Sequence, residues 1–437
     1  MAKKMLFLFV LLLSLTGMLK AQVTTAGMSG KVMADEESVI GATVVAVHEP
    51  SGTSYGTVTN VDGRFSLQGM RSGGPYKVTV SYIGYQTAIY TGIQLQLGET
   101  YSLNVTLHEA SELLGEITIT ASRSKFSAEK TGATTNISSE QLTTLPSINR
   151  SISDFTRISP YASGNSFGGR DGRSNTFTVD GANLNNNFGL SSGLPGGGNP
   201  ISLDAIDEVQ VVIAPYDVRQ ANFIGAGINA ITKSGTNAYR GSAYMYFNNE
   251  VMRGNKIGDT DFGVRAEESK TVYGATFGGP IIKDKLFFFA NVEYEKSPQQ
   301  VITWRAAKEG ETPNNSTISR TTEADLAEFS QILKDKYGYN TGSFTDFPAD
   351  VTNLKLLGRI DWNINQGNKL SVRYNFTNNK TWEAPNGSSG NTGYRLAYNR
   401  VSAYSMSYAN SCYSLQNIVN SATAELNSRF SSNVSNQ

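Results

Sequence analysis

From Tyr239 onward, hydrophobic and polar positions alternate along the chain. In Leu354–Ile364, Leu354, Leu356, Gly358, Ile360, Trp362 and Ile364 share one parity, and Lys355, Leu357, Arg359, Asp361 and Asn363, nearly all polar, share the other. Lys369–Phe376 repeats the pattern: Leu370, Val372, Tyr374 and Phe376 oppose Lys369, Ser371, Arg373 and Asn375. Tyr239–Phe247, Val272–Phe277, Lys285–Tyr294 and Ala422–Phe430 follow it less cleanly, and Tyr398–Tyr408 is ambiguous. A period of two sends alternate side chains to opposite faces of an extended chain. Sustained over ~10 residues, it predicts a membrane-barrel strand with its apolar face outward. The connections agree. Gly278–Asp284 and Asn365–Asn368 are short, whereas Asn248–Lys270 and Glu295–Val351 are long and polar, as for alternating periplasmic turns and extracellular loops. A soluble sandwich with one wet face competes, but connections as long as Glu295–Val351 are rare in such folds. A barrel must close in lipid to pair its edge groups. A barrel with a plugged lumen has about 22 strands, so the alternating segments predict roughly the first third of one.

Upstream the texture changes twice. Residues 27–108 read as a small all-β domain. Ala42–Val47, Lys77–Ser81 and Tyr101–Leu107 are strand-like, and turn signals at Glu49–Gly52, Asn60–Gly63 and Ser72–Pro75 separate them. This spacing predicts a β-sandwich. Residues 109–235 are mixed. Ser139–Leu145 and Ser151–Ile158 predict short Ser-capped helices, and Thr176–Val179 and Glu208–Ala214 predict strands. The Gly/Asn-rich stretch Asn183–Asn199 predicts an irregular loop. The fold class is therefore mainly β: an N-terminal sandwich, a mixed α/β body, then the first strands of an incomplete transmembrane barrel.

The N-terminus supplies an address. Lys3 and Lys4 precede the apolar run Met5–Leu15, which is too short to span a bilayer, and Ala21 offers a cleavage site before Gln22. Residues 1–21 thus read as a signal peptide. Lys+Arg and Asp+Glu each number 37, which argues against a nucleic-acid partner. Cys412 is the single cysteine, so no intramolecular disulfide is expected.

Catalytic and cofactor motifs fail on inspection. Gly164-Asn-Ser-Phe-Gly168 matches a serine-nucleophile pattern, yet no histidine follows His108 to take the proton. Gly225-Ala-Gly-Ile-Asn-Ala230 matches a dinucleotide fingerprint, but Ile228–Thr232 reads as a strand where a helix must begin. Asp204, Asp207 and Glu208, like Asp35, Glu36 and Glu37, lack the oxygen-ligand spacing of a calcium loop and read as solvated charge. No enzyme activity, cofactor or metal is expected. The segment Glu112–Ala121 has high strand propensity between linker-like flanks. It suits strand addition to a partner's sheet edge, with an ordinary interdomain strand as the alternative.

With these residues in view, the chain resembles the TonB-dependent outer-membrane receptors, in the Oar-like branch that carries an N-terminal carboxypeptidase-regulatory-like domain. Gly30-Lys-Val, Gly41-Ala-Thr-Val, Asn60-Val-Asp-Gly-Arg-Phe65 and Tyr82-Ile-Gly-Tyr85 are similar to that domain. Glu116-Ile-Thr-Ile-Thr-Ala121 resembles the TonB box, although Ile and Thr replace part of its usual valine run. Arg170–Gly181, Ile206–Val211, Pro215–Arg219 and Gly225–Asn237 resemble the plug, the last being the most specific. The resemblance implies a domain order of 22–108 regulatory-like, 109–125 TonB-box linker, 126–237 plug and 238–437 partial barrel. It implies that a ligand of unknown identity binds outside and that Glu116, Ile117, Thr118, Ile119, Thr120 and Ala121 pair with a periplasmic TonB-type protein. Loosening of the plug then admits the ligand. Outer-membrane lipid is the other partner. Arg170, Asp171 and Arg173 are expected to make plug–barrel polar contacts. A non-transporting surface protein on the same fold, adhesive or export-related, is the alternative.

Overall fold

A computed structural model describes residues 23–436 except 35–36, 110–116, 121–132, 148–149, 186–198, 216–219, 221–222, 262–267, 299–301, 303, 315–316, 385, 390–394, 400 and 431–434. The signal-peptide segment, Asp35, Glu36, Glu116, Ala121 and most of Asn183–Asn199 and Pro215–Arg219 lie outside these residues.

The N-terminal body is a sandwich of two five-stranded sheets. One is built on β1 (Ala26–Ala34), with β2 (Glu37–Ser38), β5 (Arg64–Met70), β8 (Thr100–Ser102) and β9 (Val105–Leu107). The other runs β10-β7-β6-β3-β4, formed by β3 (Thr43–His48), β4 (Thr53–Val58), β6 (Gly73–Ser81), β7 (Ala88–Leu95) and β10 (Ile117–Thr120). Their inner faces bury Met28, Phe65, Leu67, Tyr76, Val78 and Ile93. The expected single strand Tyr101–Leu107 is two strands. Both pair with β1 in parallel, and between them Leu103 donates its N–H to the Ser29 carbonyl. Gly30 permits that approach: a Cβ there would meet the Leu103 carbonyl.

The second body has a five-stranded sheet in the order β11-β14-β15-β12-β13. These are β11 (Ala133–Ser138), β12 (Thr176–Val179), β13 (Ala182–Asn183), β14 (Ile206–Ala214) and β15 (Gly227–Thr232). Short helices α1 (Ser139–Thr144) and α2 (Ile152–Thr156) carry capping boxes, opened by Ser138 and Ser151. Satisfying the free N–H groups of the first turn is what such caps do. Its core joins Ile137, Phe155, Phe177 and Val211 to Phe289 and Leu357 of the following sheet, so the body packs on the inner face of a wall.

That wall is a seven-stranded antiparallel meander in chain order: β16 (Arg240–Asn249), β17 (Ser269–Ile282), β18 (Leu286–Lys296), β19 (Thr352–Asn363), β20 (Asn368–Glu383), β21 (Tyr413–Arg429) and β22 (Ser435–Asn436). Its polarity is inverted relative to a soluble protein. Asn353, Lys355, Arg359 and Asp361 of β19 are buried against the second body, while Ile360 and Trp362 are 47% and 41% exposed on the outer face. Ile360 faces Val372 across the ladder, and Trp362 faces Leu370. An apolar outer band over a polar inner face is the arrangement of a strand between lipid and lumen. Among the described residues, Tyr398–Tyr408, ambiguous in sequence, contributes no strand to the wall; Tyr398 and Asn399 end a separate two-stranded ladder. The loop after β18 also differs from a plain polar loop, because it carries the helix α3 (Glu323–Tyr337), capped by Thr322 and Asp325 and ended by Gly338 in the left-handed conformation.

Candidate functional site: a polar seam between plug, wall and sandwich

Residues Asp180 and Gly181 form the two-residue turn of the β12–β13 hairpin, with φ of 47° and 83°. Two positive φ values in a two-residue hairpin define the turn that Asp-Gly favours. The turn points the Asp180 carboxylate back at β15, where it accepts from the Thr232 N–H at 3.0 Å and the Thr232 hydroxyl at 2.6 Å. Two wall guanidiniums face the same carboxylate: Arg359 Nη1 and Arg373 Nε each lie 3.7 Å from Oδ1. Arg359 in turn forks onto Asp361, two residues along the same strand face, at 2.8 and 3.0 Å, and donates to the Thr232 carbonyl at 2.6 Å. Arg373 pairs with Glu425 at 2.8 Å on the neighbouring strand. From the sandwich, Arg71 reaches Asp361 at 3.4 Å. Three cations and three anions from three bodies thus share one buried, neutral cluster. Burial without such pairing would cost several kcal/mol per ion.

A second cluster lies farther along the wall. Lys355 and Glu293, both nearly inaccessible, pair at 2.8 Å, and Glu293 also accepts from Ser202 and Tyr244 at 2.8 Å each. Arg150 pairs with Asp204 and stacks 3.8 Å from the Tyr246 ring centroid. Gly235 marks a close passage, since a Cβ there would meet the carbonyls of Phe288 and Gly279.

The sandwich seats on the same end as the short turns. Asn363 donates to Thr53, Lys369 donates to the Ser54 carbonyl at 3.3 Å and stands 3.1 Å over the Tyr55 ring, and Arg429 donates to the Gly56 carbonyl. Its β7–β8 turn grips the plug sheet. Both carboxyl oxygens of Glu208 accept from the Leu97 N–H at 3.1 Å, Gln210 donates to the Leu97 carbonyl at 2.5 Å, and the Leu97 side chain packs on Ile231. Glu208 is buried and Asp207 half-buried, so the expectation of solvated charge fails here: β14 is covered by the sandwich on this face. Burial pushes the Glu208 carboxyl up to about 8, against the opposing pull of the Leu97 N–H.

The residues expected to act lie elsewhere. Asp171 caps a short turn and pairs with Arg173 at 2.9 Å, each about half exposed, and the Arg170 carbonyl accepts from Ser166. Among the described residues, the polar contacts of Arg170, Asp171 and Arg173 stay within this turn and its hairpin. Polar plug–wall contacts are made instead by Asp180 and Thr232 with Arg359 and Arg373, by Ser202 with Glu293, and by the Pro200 carbonyl with Thr377. Of the expected TonB-interacting residues, Ile117, Thr118, Ile119 and Thr120 form β10 and pair in parallel with Ala88–Thr91 of β7. Ser166 of the serine-like motif sits in a small hairpin, and Gly227–Thr232 of the dinucleotide-like motif is a strand. Among the described residues, no group of three His, Cys, Asp or Glu side chains is placed to hold a metal.

A wall with apolar outer and polar inner faces, holding a folded body on its inner side, defines an outer-membrane barrel with a plug. Comparison with known proteins agrees with the geometry. Residues 27–108 match the Carboxypeptidase regulatory-like domain, and residues 231–437 match the Outer membrane beta barrel domain. The TonB-dependent transporter Oar of Myxococcus xanthus is 25% identical over 344 residues, covering 74% of this chain and 30% of the relative. Among solved structures, the outer membrane transporter YddB from Escherichia coli covers 68% of this chain and 37% of its own at 13% identity and a TM-score of 0.42. The siderophore receptor PirA from Acinetobacter baumannii covers 56% and 31% at 18% identity and a TM-score of 0.36. The chain spans less than half the length of each of these relatives. The chain thus carries a carboxypeptidase-regulatory-like domain and an outer-membrane β-barrel domain, is similar to TonB-dependent receptors, and resides in the bacterial outer membrane. The relatives named here are transporters and receptors.

Proposed function

We propose that the chain forms the leading part of an energy-coupled importer: signal peptide 1–21, regulatory-like domain 22–108, TonB-box linker 109–125, plug 126–237 and the first barrel strands within 238–437. The observation that carries this reading is the polar seam. A plug held to the wall by Asp180, Arg359 and Arg373, beside its apolar packing on Phe289 and Leu357, is oriented by directional contacts. Such contacts can be exchanged for water as the plug shifts, which a dry core does not allow. Ligand identity stays open, because siderophore and other receptors share the frame. Arg170, Asp171 and Arg173 are assigned to plug–barrel contact during the working cycle, and Ile117–Thr120, with Glu116 and Ala121, to pairing with the periplasmic domain of a TonB protein.

The test uses the full-length receptor and the purified periplasmic domain of a TonB protein from the same organism. Ile119→Pro removes a ladder donor from the segment. The parent protein is expected to be captured and the proline variant lost. Equal capture of both, or capture of neither, overturns the reading.

A further inference from the structure

Where the sandwich seats on the barrel rim, the two bodies enclose a cavity of about 400 Å³. That lies within the range of small-molecule sites, about 300–1,000 Å³. Tyr55, Gln68 and Glu99 line it from the sandwich, and Lys369, Asn427 and Arg429 from β20 and β21. Lys369 and Asn427 are opposed in the β20–β21 ladder and share the inward face with Arg373 and Glu425, so the cavity lies on the lumen side of the rim and not toward lipid. Its charges do not balance. In the adjoining seam, Arg71, Arg359 and Arg373 are matched by Asp180, Asp361 and Glu425, and Asp207 beside them is drawn chiefly to Lys233. Among the described residues, Lys369 has no carboxylate partner: its ammonium meets the Ser54 carbonyl at 3.3 Å and the face of the Tyr55 ring. The lining thus carries two cations, Lys369 and Arg429, to one carboxylate, Glu99, which accepts from Asn136 of the plug at 3.5 Å. Asn427 donates its amide to Glu425 at 2.7 Å, which leaves its Oδ1 buried with no donor among the described residues. Gly69, left-handed at φ 66°, brings no side chain over that oxygen.

We propose that this cavity binds a small soluble oxyanion that also carries a hydroxyl group, of the class of hydrogen phosphate and the hydroxy acids. The oxyanion supplies the negative charge that faces Lys369, and hydrogen bonds between ionised partners are the strong ones. The hydroxyl supplies the donor that Asn427 Oδ1 lacks. A buried acceptor is costly to leave unmade, so an occupant that fills it gains over one that offers charge alone. The site belongs to two bodies, with Tyr55 and Gln68 on the sandwich and Lys369 and Asn427 on the rim. An occupant that touches both binds the seated arrangement and not the separated one, and so strengthens the seat by mass action. Binding here requires neither transport nor a TonB-type partner.

The test is calorimetric titration of inorganic phosphate into the full-length receptor, in an uncharged detergent at neutral pH. Sulfate, and chloride at matched ionic strength, are the comparisons. Phosphate keeps a hydroxyl at neutral pH and sulfate does not. A single saturable site for phosphate is expected, with sulfate bound about 10-fold more weakly, the worth of one hydrogen bond, and no saturable heat from chloride. Lys369→Gln removes the ammonium and is expected to weaken phosphate binding at least ~10-fold. Asn427→Asp leaves Lys369 and its contacts in place and sets a carboxylate opposite it in the ladder. It is expected to abolish phosphate binding while hydrogen exchange at Thr53 and Tyr55 stays at parent rates, which reports a sandwich still seated. No saturable heat with phosphate overturns the site. Sulfate bound as tightly as phosphate overturns the part given to Asn427 Oδ1, and with it the hydroxylated class. Phosphate bound at parent strength by Asn427→Asp is an adventitious ion only, held elsewhere on the receptor, and overturns the site as well.

Discussion

Removing the Asp180 carboxylate is the sharpest perturbation of the plug–wall seam. Asp180 is 4% exposed and accepts two hydrogen bonds from Thr232 while facing two guanidiniums at 3.7 Å. Each bond to a charged acceptor is worth roughly 1.5–3 kcal/mol. At an effective dielectric constant of about 20, each guanidinium contributes a gross attraction of about 4 kcal/mol, largely offset by the cost of desolvating the charges. Breaking a buried pair on one side typically costs about 3–5 kcal/mol, and Asp180→Ala is expected to fall in that range. Alanine also tolerates the left-handed turn poorly, at about 1–2 kcal/mol. Asp180→Asn separates these contributions: it keeps the turn preference and an acceptor for the Thr232 N–H but removes the charge, and about 2–3 kcal/mol is expected. The assay is amide hydrogen exchange at Thr232 in the full-length receptor in detergent. A loss of about 2–3 kcal/mol predicts exchange roughly 30- to 150-fold faster in Asp180→Asn, and a larger change in Asp180→Ala. Protection within twofold of the parent in both variants would refute the claim that this carboxylate holds the plug to the wall. Arg359→Gln combined with Asp180→Asn should cost less than the sum of the single changes, because both disturb one network.

Glu208 gives a pH dependence. Its carboxyl is raised to about 8 in the folded protein from an ordinary value near 4.5. Between those values the folded protein retains a proton that the unfolded chain has released, so stability falls as pH rises through this window and is level on either side. The full effect is at most about 5 kcal/mol, and urea midpoints measured from pH 4.5 to pH 8 should decline in the parent and stay flat in Glu208→Gln. A parent midpoint that rises with pH would refute the buried, protonated carboxyl. Replacing Arg173 by Ala should leave thermal stability in detergent unchanged, because its partner Asp171 shares the same exposed turn. A clear fall in melting temperature would place it in the resting seam, whereas reduced ligand-driven release of the plug with unchanged melting would support its assignment to the working cycle.

The wall was legible because its physics is local. Alternation in Leu354–Ile364 and Lys369–Phe376 fixes which side chains share a face, and β19 and β20 extend those segments in the same register of polarity. Thr176–Val179 appears as read, since a run of β-propensity ending in Asp-Gly carries its own turn. The helix α3 was hidden inside a long polar connection, although Thr322-x-x-Asp325 and Gly338 are start and stop signals of the usual kind. The seam was not legible. Lys355, Arg359, Asp361 and Arg373 could be placed on an inward face, but nothing local pairs Arg359 with Thr232, 127 residues away, or Arg71 with Asp361, 290 residues away. Arg170, Asp171 and Arg173 stand in the plug-like run Arg170–Gly181, yet Asp171 and Arg173 satisfy one another in an exposed turn. Asp180 stands in the same run, and Asp-Gly is a turn signal. The turn forms, and it is what aims the Asp180 carboxylate at two arginines.

The sandwich holds plug and wall by different chemistry, and that difference has a mechanical consequence. Its grip on the wall is spread over Arg71, Lys369, Asn363 and Arg429, with cations and amides donating to carboxylate, hydroxyl and carbonyl oxygens at several points along the barrel rim. Its grip on the plug centres on Leu97, whose backbone bonds Glu208, Gln210 and Asn136, with Ser72 beside Glu208 and the Pro50 carbonyl accepting from the Asn237 N–H. A distributed attachment resists a pull applied at any one point, whereas a concentrated one yields when its few bonds are displaced together. Movement of the plug is expected to break the Leu97 contacts before it unseats the sandwich from the wall, which hydrogen exchange at Leu97 faster than at Thr53 and Tyr55 would report.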